Sequence, residues 1–128
     1  MKTNPVSWFE IYVQDMSRAK AFYEAVFQGV LTPLENPDSK GFPDMEMWAF
    51  PMSMAGHGAP GALVKMPEYP SGGSTLVYFT CDDCAIEAAR ATSNGGSVFK
   101  EKMSIGEYGF VAIVSDTEGN LIGLHSMQ

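Results

Sequence analysis

The sequence repeats one pattern of strands and a helix, and this repeat constrains the fold more than any other feature. Near the N-terminus the apolar residues alternate, which is the period of a half-buried strand. After Asp15 the apolar spacing changes to three and four residues, which predicts an amphipathic helix with Asp15 or Ser17 as its cap. A shift of 68 residues aligns the two halves of the chain, with the pairs Phe9 and Val77, Ile11 and Phe79, Val13 and Cys81, and Asp15 and Asp83.

Each half has the predicted order βαβββ, and the segment MPEYPSGGS separates the halves. Proline and paired glycines are typical of a linker rather than of a helix or a strand. A repeated supersecondary unit is a signal about the whole fold. The sequence therefore predicts a single domain over residues 1–128, with module one at about 1–67, a linker at about 67–74 and module two at about 75–128.

The predicted fold class is α+β, because each module has one helix to cover one face of its strands. The two modules are expected to join into a curved mixed sheet, with the helices on the outer face and a concave cup inside. Strand alternation assigns residues to each face. Those predicted under the helices are Phe9, Ile11, Val13, Val77, Phe79, Ile122 and Leu124, and those predicted to line the cup are Trp8, Glu10, Tyr12, Leu76, Tyr78, Thr80, Leu121, Gly123 and His125.

Charge and hydropathy exclude several classes of function. The net charge of −7, with 15 acidic and 8 basic residues, opposes binding to nucleic acid and to anionic membranes. No apolar run approaches the roughly 20 residues that a membrane helix needs, and the N-terminus lacks a signal-peptide pattern. We therefore expect a cytoplasmic protein whose partner is a small molecule.

Glu10 is the candidate catalytic residue. It lies between Trp8 and Tyr12 on one face of the first strand. In a cup that excludes water its pKa would rise, which suits a general base for proton abstraction next to a carbonyl. A carboxylate there equally suits binding of a cationic or hydroxyl group, or a hydrogen-bonded packing network with Tyr12, Tyr78 or a backbone amide. The predicted ligand-binding residues around it are Trp8, Tyr12, Trp48, Tyr78 and His125.

The chain resembles the vicinal oxygen chelate superfamily of glyoxalase I, bleomycin-resistance proteins and extradiol dioxygenases. The resemblance covers nearly the whole length and rests on FEIYVQDMSRAKAFYEAVF, on VYFTCDDCAIEAARATSNGG and on SDTEGNLIGL near the end. It implies the paired modules and a divalent metal held by His, Gln or Glu side chains. The positions that would supply these ligands here are Trp8, Leu76, Gly123 and the stretch 61–63, none of which has a donor group. The usual metal site is therefore expected to be absent, with no cofactor.

Two other chemistries are open. A relocated metal site would combine Glu10, His57 and His125, the two-histidine, one-carboxylate set that suits non-haem iron. The alternative is that both histidines are structural or solvated. A thiol redox site would use Cys81 and Cys84, a CxxC pair where a strand meets a helix. The two aspartates between them disfavour a thiolate, and buried structural cysteines are the alternative.

The leading hypothesis is a glyoxalase- or bleomycin-resistance-like protein that binds a small molecule in the cup without the usual metal, with Glu10 as acid or base. If it is an enzyme, the resemblance implies one related to lactoylglutathione lyase. The alternative is a metal-dependent lyase, isomerase or oxygenase with the relocated ligands. The resemblance also implies a homodimer, and an exposed edge strand supplies a physical motive for one.

Overall fold

The computed structural model describes residues 1–35, 44–67 and 75–128. The predicted fold class is confirmed: the chain is α+β, and its elements follow the order βαβββ twice. The chain divides into two compact units, one formed by Trp8–Thr75 and the other by Met1–Ser7 together with Leu76–Gln128. Residues Met1–Ser7 thus belong to the same unit as the second half of the chain. The predicted linker lies outside the described residues, except for Pro67.

The first unit contains one helix and a four-stranded mixed sheet. Its elements are β1 (Val6–Tyr12, which begins two residues before the unit), α1 (Met16–Phe27), β2 (Thr32–Pro33), β3 (Glu46–Ala49) and β4 (Gly61–Lys65). The strands lie in the order β2-β3-β4-β1. Strand β1 pairs with β4 in parallel, and the other two pairings are antiparallel.

Helix α1 begins where the sequence predicts, because Asp15 caps it. The Asp15 carboxylate accepts a hydrogen bond of 3.0 Å from the backbone amide of Arg18, which satisfies one of the free amides of the first turn. The helix ends at Gln28, which is in the left-handed conformation. Its inner side packs on one face of the sheet, and the core there consists of Met16, Leu31 and Leu63, flanked by Ile11, Val13, Ala19, Tyr23, Trp48 and Phe50.

The second unit repeats this arrangement. Its elements are β5 (Thr75–Thr80), α2 (Cys84–Ser93), β6 (Ser97–Ser104), β7 (Phe110–Ser115) and β8 (Leu121–Ser126). A 3-10 turn at Gly106–Tyr108 precedes β7. The strands lie in the order β5-β8-β7-β6, with β5 parallel to β8 and the other pairings antiparallel.

Asp83 caps α2 in the way that Asp15 caps α1. Its carboxylate accepts a hydrogen bond of 3.0 Å from the amide of Ala85, and another of 2.8 Å from Lys102 Nζ. The Lys102 ammonium group and the Ala85 amide hold the pKa of Asp83 below its usual range. The core under α2 contains Cys81, Cys84, Ala88, Ala112, Val114 and Leu124, flanked by Phe79, Ala91, Val98, Phe110 and Ile122.

Neither helix has the length and apolar character needed to cross a membrane, within the three ranges that the structure describes.

Candidate functional site

Glu10 forms a hydrogen-bonded group with its two neighbours on the same face of β1. Trp8 Nε1 donates a hydrogen bond of 3.1 Å to Glu10 Oε2, and the Tyr12 hydroxyl donates one of 2.5 Å to Glu10 Oε1. Glu10 and Tyr12 are buried, with 7% and 5% of their surface exposed, and Trp8 is half-buried. The carboxylate is therefore held at both oxygens by donors from its own strand. We call Trp8, Glu10 and Tyr12 the Glu10 triad.

Strand register fixes the face on which the Glu10 triad lies. Glu10 is level with Ala62 on β4, and Ala62 is level with Ala49 on β3. Ile11, one residue later on β1, is level with Leu63, which belongs to the core under α1. Because successive side chains of a strand point to opposite faces, the triad lies on the sheet face that α1 does not cover. The carboxylate's neighbours across the strands are small, fully buried alanines.

Trp48 does not join the Glu10 triad, contrary to the predicted set of ligand-binding residues. It is level with Leu63 and packs in the core under α1. Its ring lies 3.1 Å from Lys20 Nζ of α1, a cation–π contact, and its Nε1 donates a hydrogen bond of 3.1 Å to Glu46. The alternation of β3 therefore points this indole toward the helix, so we leave Trp48 out of the proposed site.

Tyr78 and His125 share the uncovered face of the second unit. Tyr78 on β5 is level with Gly123 on β8, and its ring lies directly over that glycine. Tyr78 is buried, and His125 is partly exposed at the end of β8. The Nε2 of His125 lies 2.6 Å from the carbonyl oxygen of Tyr108, so Nε2 carries the proton and donates it to that carbonyl.

The positions at which the resemblance places metal ligands do not fit a metal ion. Trp8 uses its only polar atom as a donor to Glu10. Leu76 is 1% exposed and apolar. At Gly123 even a β-carbon would overlap the Tyr78 ring, which occupies the space that a ligand side chain would need. A metal cannot be held by an indole, an alkyl group and a glycine.

The relocated metal site is not assembled either. Across residues 1–35, 44–67 and 75–128, no group of three His, Cys, Asp or Glu side chains is placed to hold a metal ion. His57 is exposed in the loop between β3 and β4, and His125 directs Nε2 at the Tyr108 carbonyl. Glu10 is engaged by Trp8 and Tyr12. The structure thus does not bring these three side chains together as ligands.

The cysteine pair has the surroundings of a structural site. Cys81 and Cys84 are free thiols, and both are buried in the core under α2. Burial, reinforced by the nearby Glu87 carboxylate, raises the pKa of the Cys81 thiol to about 12. A reactive cysteine needs a thiolate near neutral pH, so the geometry supports the packing interpretation rather than a redox site.

The row of alanines beside Glu10 is the feature that reading the sequence missed. Ala49 and Ala62 become neighbours of Glu10 only through the register of β4 with β1 and β3. A continuous buried strand such as GALVK has no alternation in its polarity, so the pattern does not indicate which of its residues share a face with Glu10. Strand pairing alone supplies that information.

Comparison with known proteins identifies the family. The sequence profile of the Glyoxalase/Bleomycin resistance protein/Dioxygenase superfamily matches residues 6–124. Over 123 residues the chain is 27% identical to "Putative glyoxylase CFP32" of Mycobacterium bovis, and equally to the protein of that name in Mycobacterium tuberculosis. The match covers 96% of this chain and 44% of each relative, so the chain spans less than half the length of these curated relatives.

Solved structures of similar fold include methylmalonyl-CoA epimerase from Mycobacterium tuberculosis, with a TM-score of 0.68, 16% identity, and coverage of 100% of this chain and 93% of that one. The hypothetical protein BH1468 from Bacillus halodurans gives a TM-score of 0.68 at 13% identity, and the match covers 96% of this chain and 94% of that one. Identities this low establish the fold alone. The family profile, which covers residues 6–124, shows that this chain belongs to the Glyoxalase/Bleomycin resistance protein/Dioxygenase superfamily.

Proposed function

We propose that this protein binds a small, partly apolar molecule on the uncovered face of the first unit, with Glu10 as the polar anchor. One observation carries the proposal: a buried carboxylate is held at both oxygens by Trp8 Nε1 and the Tyr12 hydroxyl. Buried carboxylates are rare, because removing the charge from water is costly unless donors compensate for it. A carboxylate that is oriented in this way is prepared to accept a hydrogen bond from a cationic or hydroxyl group of a ligand.

The Glu10 triad also offers an apolar surface to the same ligand. Trp8 is half-buried and lies on the face that α1 leaves uncovered. Aromatic side chains supply much of the contact area in small-molecule sites, while a few fixed polar groups set the orientation. Sequestration of such a molecule would need no metal ion, which agrees with the donor-free positions Trp8, Leu76 and Gly123.

An acid–base isomerase is the second candidate, and the Tyr12–Glu10 contact favours it. The hydroxyl oxygen of Tyr12 lies 2.5 Å from Glu10 Oε1, a short, charge-assisted hydrogen bond. This bond fixes the carboxylate. Glu10 would accept the proton from the hydroxyl-bearing carbon of an α-hydroxycarbonyl ligand, leaving an enediolate, and later return it to the former carbonyl carbon while the hydroxyl proton moves to the other oxygen. The comparison structures include methylmalonyl-CoA epimerases, which have the same fold. Exchange of that proton for solvent deuterium, followed by mass spectrometry on candidate carbonyl compounds, distinguishes this reaction from binding alone.

A thermal-shift screen of small metabolites, antibiotics and divalent metal salts tests the proposal. At about 100 times Kd a ligand adds about 2.7 kcal/mol of stability, which raises Tm by roughly 10 °C in a domain of this size. We expect at least one organic compound to stabilise the wild type and to lose most of that effect with Glu10→Gln.

Glu46→Gln is the matched control. Glu46 accepts a hydrogen bond of 3.1 Å from Trp48 Nε1, the same distance and the same two-residue spacing as in the Glu10–Trp8 pair, but it is exposed and lies on the face toward α1. Equal stabilisation of wild type and Glu10→Gln would reduce Glu10 to a packing residue. Stabilisation by a divalent metal that Glu10→Gln abolishes would instead favour the metalloenzyme alternative and overturn the metal-free proposal.

A further inference from the structure

The loop between β3 and β4 contains an unusual set of polarisable donor atoms. Residues 51–60 read PMSMAGHGAP, and they include the two methionines Met52 and Met54 and the histidine His57. Methionine is among the residue types that are most often fully buried. Met52 and Met54 are exposed instead, and His57 is exposed beside them. The loop therefore presents two thioethers and one imidazole at the surface, and we call these three side chains the loop donors.

The second unit shows that the fold does not require this loop. Residues 50–60 connect β3 to β4, whereas residues 116–120 make the equivalent connection between β7 and β8. The shorter connection is a turn in which the Asp116 carboxylate accepts hydrogen bonds of 2.8 Å from the amides of Glu118 and Asn120. It contains no methionine and no histidine. The loop donors are thus a property of the first unit, and loops carry binding residues more often than strands do.

Local hydrogen bonds bend the loop between its first methionine and its histidine. The Ser53 hydroxyl accepts a hydrogen bond of 3.2 Å from the Ala55 amide. The Ser53 carbonyl accepts another of 3.2 Å from the Gly56 amide, which closes a β-turn. Met52 precedes this turn and His57 follows it. Because a β-turn reverses the direction of the chain, these two side chains can approach each other.

Met52 and His57 line the same cavity. Its volume is about 280 Å³, and all the residues that line it belong to this loop, between Pro51 and Pro60. In the described part of the chain the His57 imidazole makes no hydrogen bond, so its nitrogens are available to an incoming ion. Met54 is two residues from Met52 and fully exposed. The methionine side chain has three rotatable bonds, so its sulfur can reach an ion that the other two donors hold.

We propose that Met52, Met54 and His57 bind the soft monovalent cation Cu(I). Thioethers select Cu(I), and imidazole also suits copper. Hard cations such as Mg²⁺ and Ca²⁺ need several oxygen ligands, and residues 51–60 contain no acidic side chain. Zinc sites use sets of three or four cysteine, histidine and carboxylate ligands. Of those residue types the loop contains only His57.

Charge also favours a monovalent ion. All three loop donors are neutral ligands, so the bound ion keeps its full charge. A single positive charge at the surface is favourable in a protein whose net charge is −7. None of the loop donors belongs to the Glu10 triad, so the copper site does not depend on the proposed function.

Competition for Cu(I) between the full chain and the chromophoric chelator bicinchoninate, under anaerobic reducing conditions, measures the affinity. We expect one ion per chain. Met52→Leu, Met54→Leu and His57→Gln should each raise Kd about tenfold or more, because each removes a ligand and keeps a side chain of similar size. Met127→Leu is the matched control, since Met127 is exposed outside the loop, and it should bind Cu(I) like the wild type. Circular dichroism spectra must show that each variant is folded.

Methyl spectra locate the bound ion. In a chain labelled with ¹³C at the methionine methyl groups, Cu(I) should shift the signals of Met52 and Met54, because a bound thioether changes the environment of its methyl group. The signals of Met16 and Met66, which are buried, should not move. The Met→Leu variants assign the two loop signals, since each variant lacks one of them.

The cysteine thiols are the competing site for Cu(I). Cys81 and Cys84 are soft donors too, but both are buried in the core under α2. Copper that binds without moving the two loop signals would place the ion elsewhere, for example on these thiols, and would overturn the proposal. Failure of the wild type to bind Cu(I) would overturn it as well, as would a Kd that is the same in the wild type and in all three loop variants. Neither measurement involves Glu10, so the copper site and the proposed function can fail separately.

Discussion

Replacing Glu10 by glutamine tests whether the Glu10 triad is held together as the structure shows. Both Trp8 Nε1 and the Tyr12 hydroxyl donate to the carboxylate. A glutamine amide has one acceptor oxygen, and Trp8 cannot accept a hydrogen bond. The amide must therefore direct its oxygen at Trp8 and its nitrogen at Tyr12, and the Tyr12 hydroxyl must turn to become an acceptor. Two charge-assisted hydrogen bonds become two neutral ones.

The expected loss in the free energy of unfolding is about 2 kcal/mol. A hydrogen bond to a charged group contributes about 1.5–3 kcal/mol and a neutral one about 0.5–1.5 kcal/mol, so each conversion costs roughly 1 kcal/mol. The removal of a buried charge acts in the opposite direction, and it sets the lower end of the expected range at about 1 kcal/mol. Equilibrium unfolding in urea at neutral pH measures the difference.

Two controls show whether this reasoning holds. Glu46→Gln makes the same chemical change beside Trp48 at an exposed position and should change stability by less than about 0.5 kcal/mol. Tyr12→Phe combined with Glu10→Gln should cost less than the sum of the single changes, because the two groups contact each other. If Glu10→Gln is as stable as the wild type, the paired-donor description of the Glu10 triad is wrong.

Three further predictions follow from other contacts. Gly123→Ala should lower the free energy of unfolding by about 1–3 kcal/mol, because the added β-carbon overlaps the Tyr78 ring. Adding Tyr78→Ala should remove most of that strain, and a double variant whose loss in urea unfolding equals the sum of the single losses would contradict the prediction. Cys81 should react with a thiol reagent at neutral pH only after unfolding, because burial raises the pKa of its thiol to about 12. For the same reason the stability that Cys81 contributes should be lost as the pH rises from about 9 toward about 12, and Cys81→Ala should abolish this alkaline loss. Asp83→Asn should lower Tm at neutral pH. The difference in Tm between wild type and variant should vanish at pH values below the lowered pKa of Asp83, since the ion pair with Lys102 exists only while the carboxylate is ionised. A difference in Tm that does not depend on pH would refute the role of this ion pair.

Helix positions were predictable because capping and periodicity are local. The pattern after Asp83 predicts a helix over residues 84–93, and α2 spans Cys84–Ser93. Both aspartates that open the predicted helices accept the expected backbone hydrogen bond, from Arg18 in one case and from Ala85 in the other. A contact between residues two or three positions apart needs no information from the rest of the chain.

The face of each strand was harder to predict when the strand was short. The alternation of β1 correctly separates Ile11, under α1, from Glu10, on the opposite face. Strand β3 has only four residues, and each of its two faces contains a large apolar side chain. The sequence placed Trp48 in the ligand site, whereas its register with Leu63 places it under the helix. Which face of such a strand packs under the helix becomes known only from its register with a neighbouring strand. The predicted cup, which involves both modules, stays a prediction.

The two halves of the repeat share their framework and differ where function is proposed. The caps, the parallel pairing of the first and last strands, and the core under each helix occur in both units. On the uncovered faces the equivalent positions hold different chemistry: Glu10 in the first unit corresponds to Tyr78 in the second.

The neighbouring strand explains this difference. Glu10 lies beside Ala62, whose methyl group leaves room for the hydrogen bonds from Trp8 and Tyr12. Tyr78 lies over Gly123, and its ring fits there because Gly123 has no side chain. A carboxylate in the first unit and a phenol ring in the second are each matched to the small residue on the adjacent strand. Introducing a metal ligand at Gly123 would therefore require Tyr78 to move first, so the second unit opposes the usual metal site through packing and not only through a missing donor.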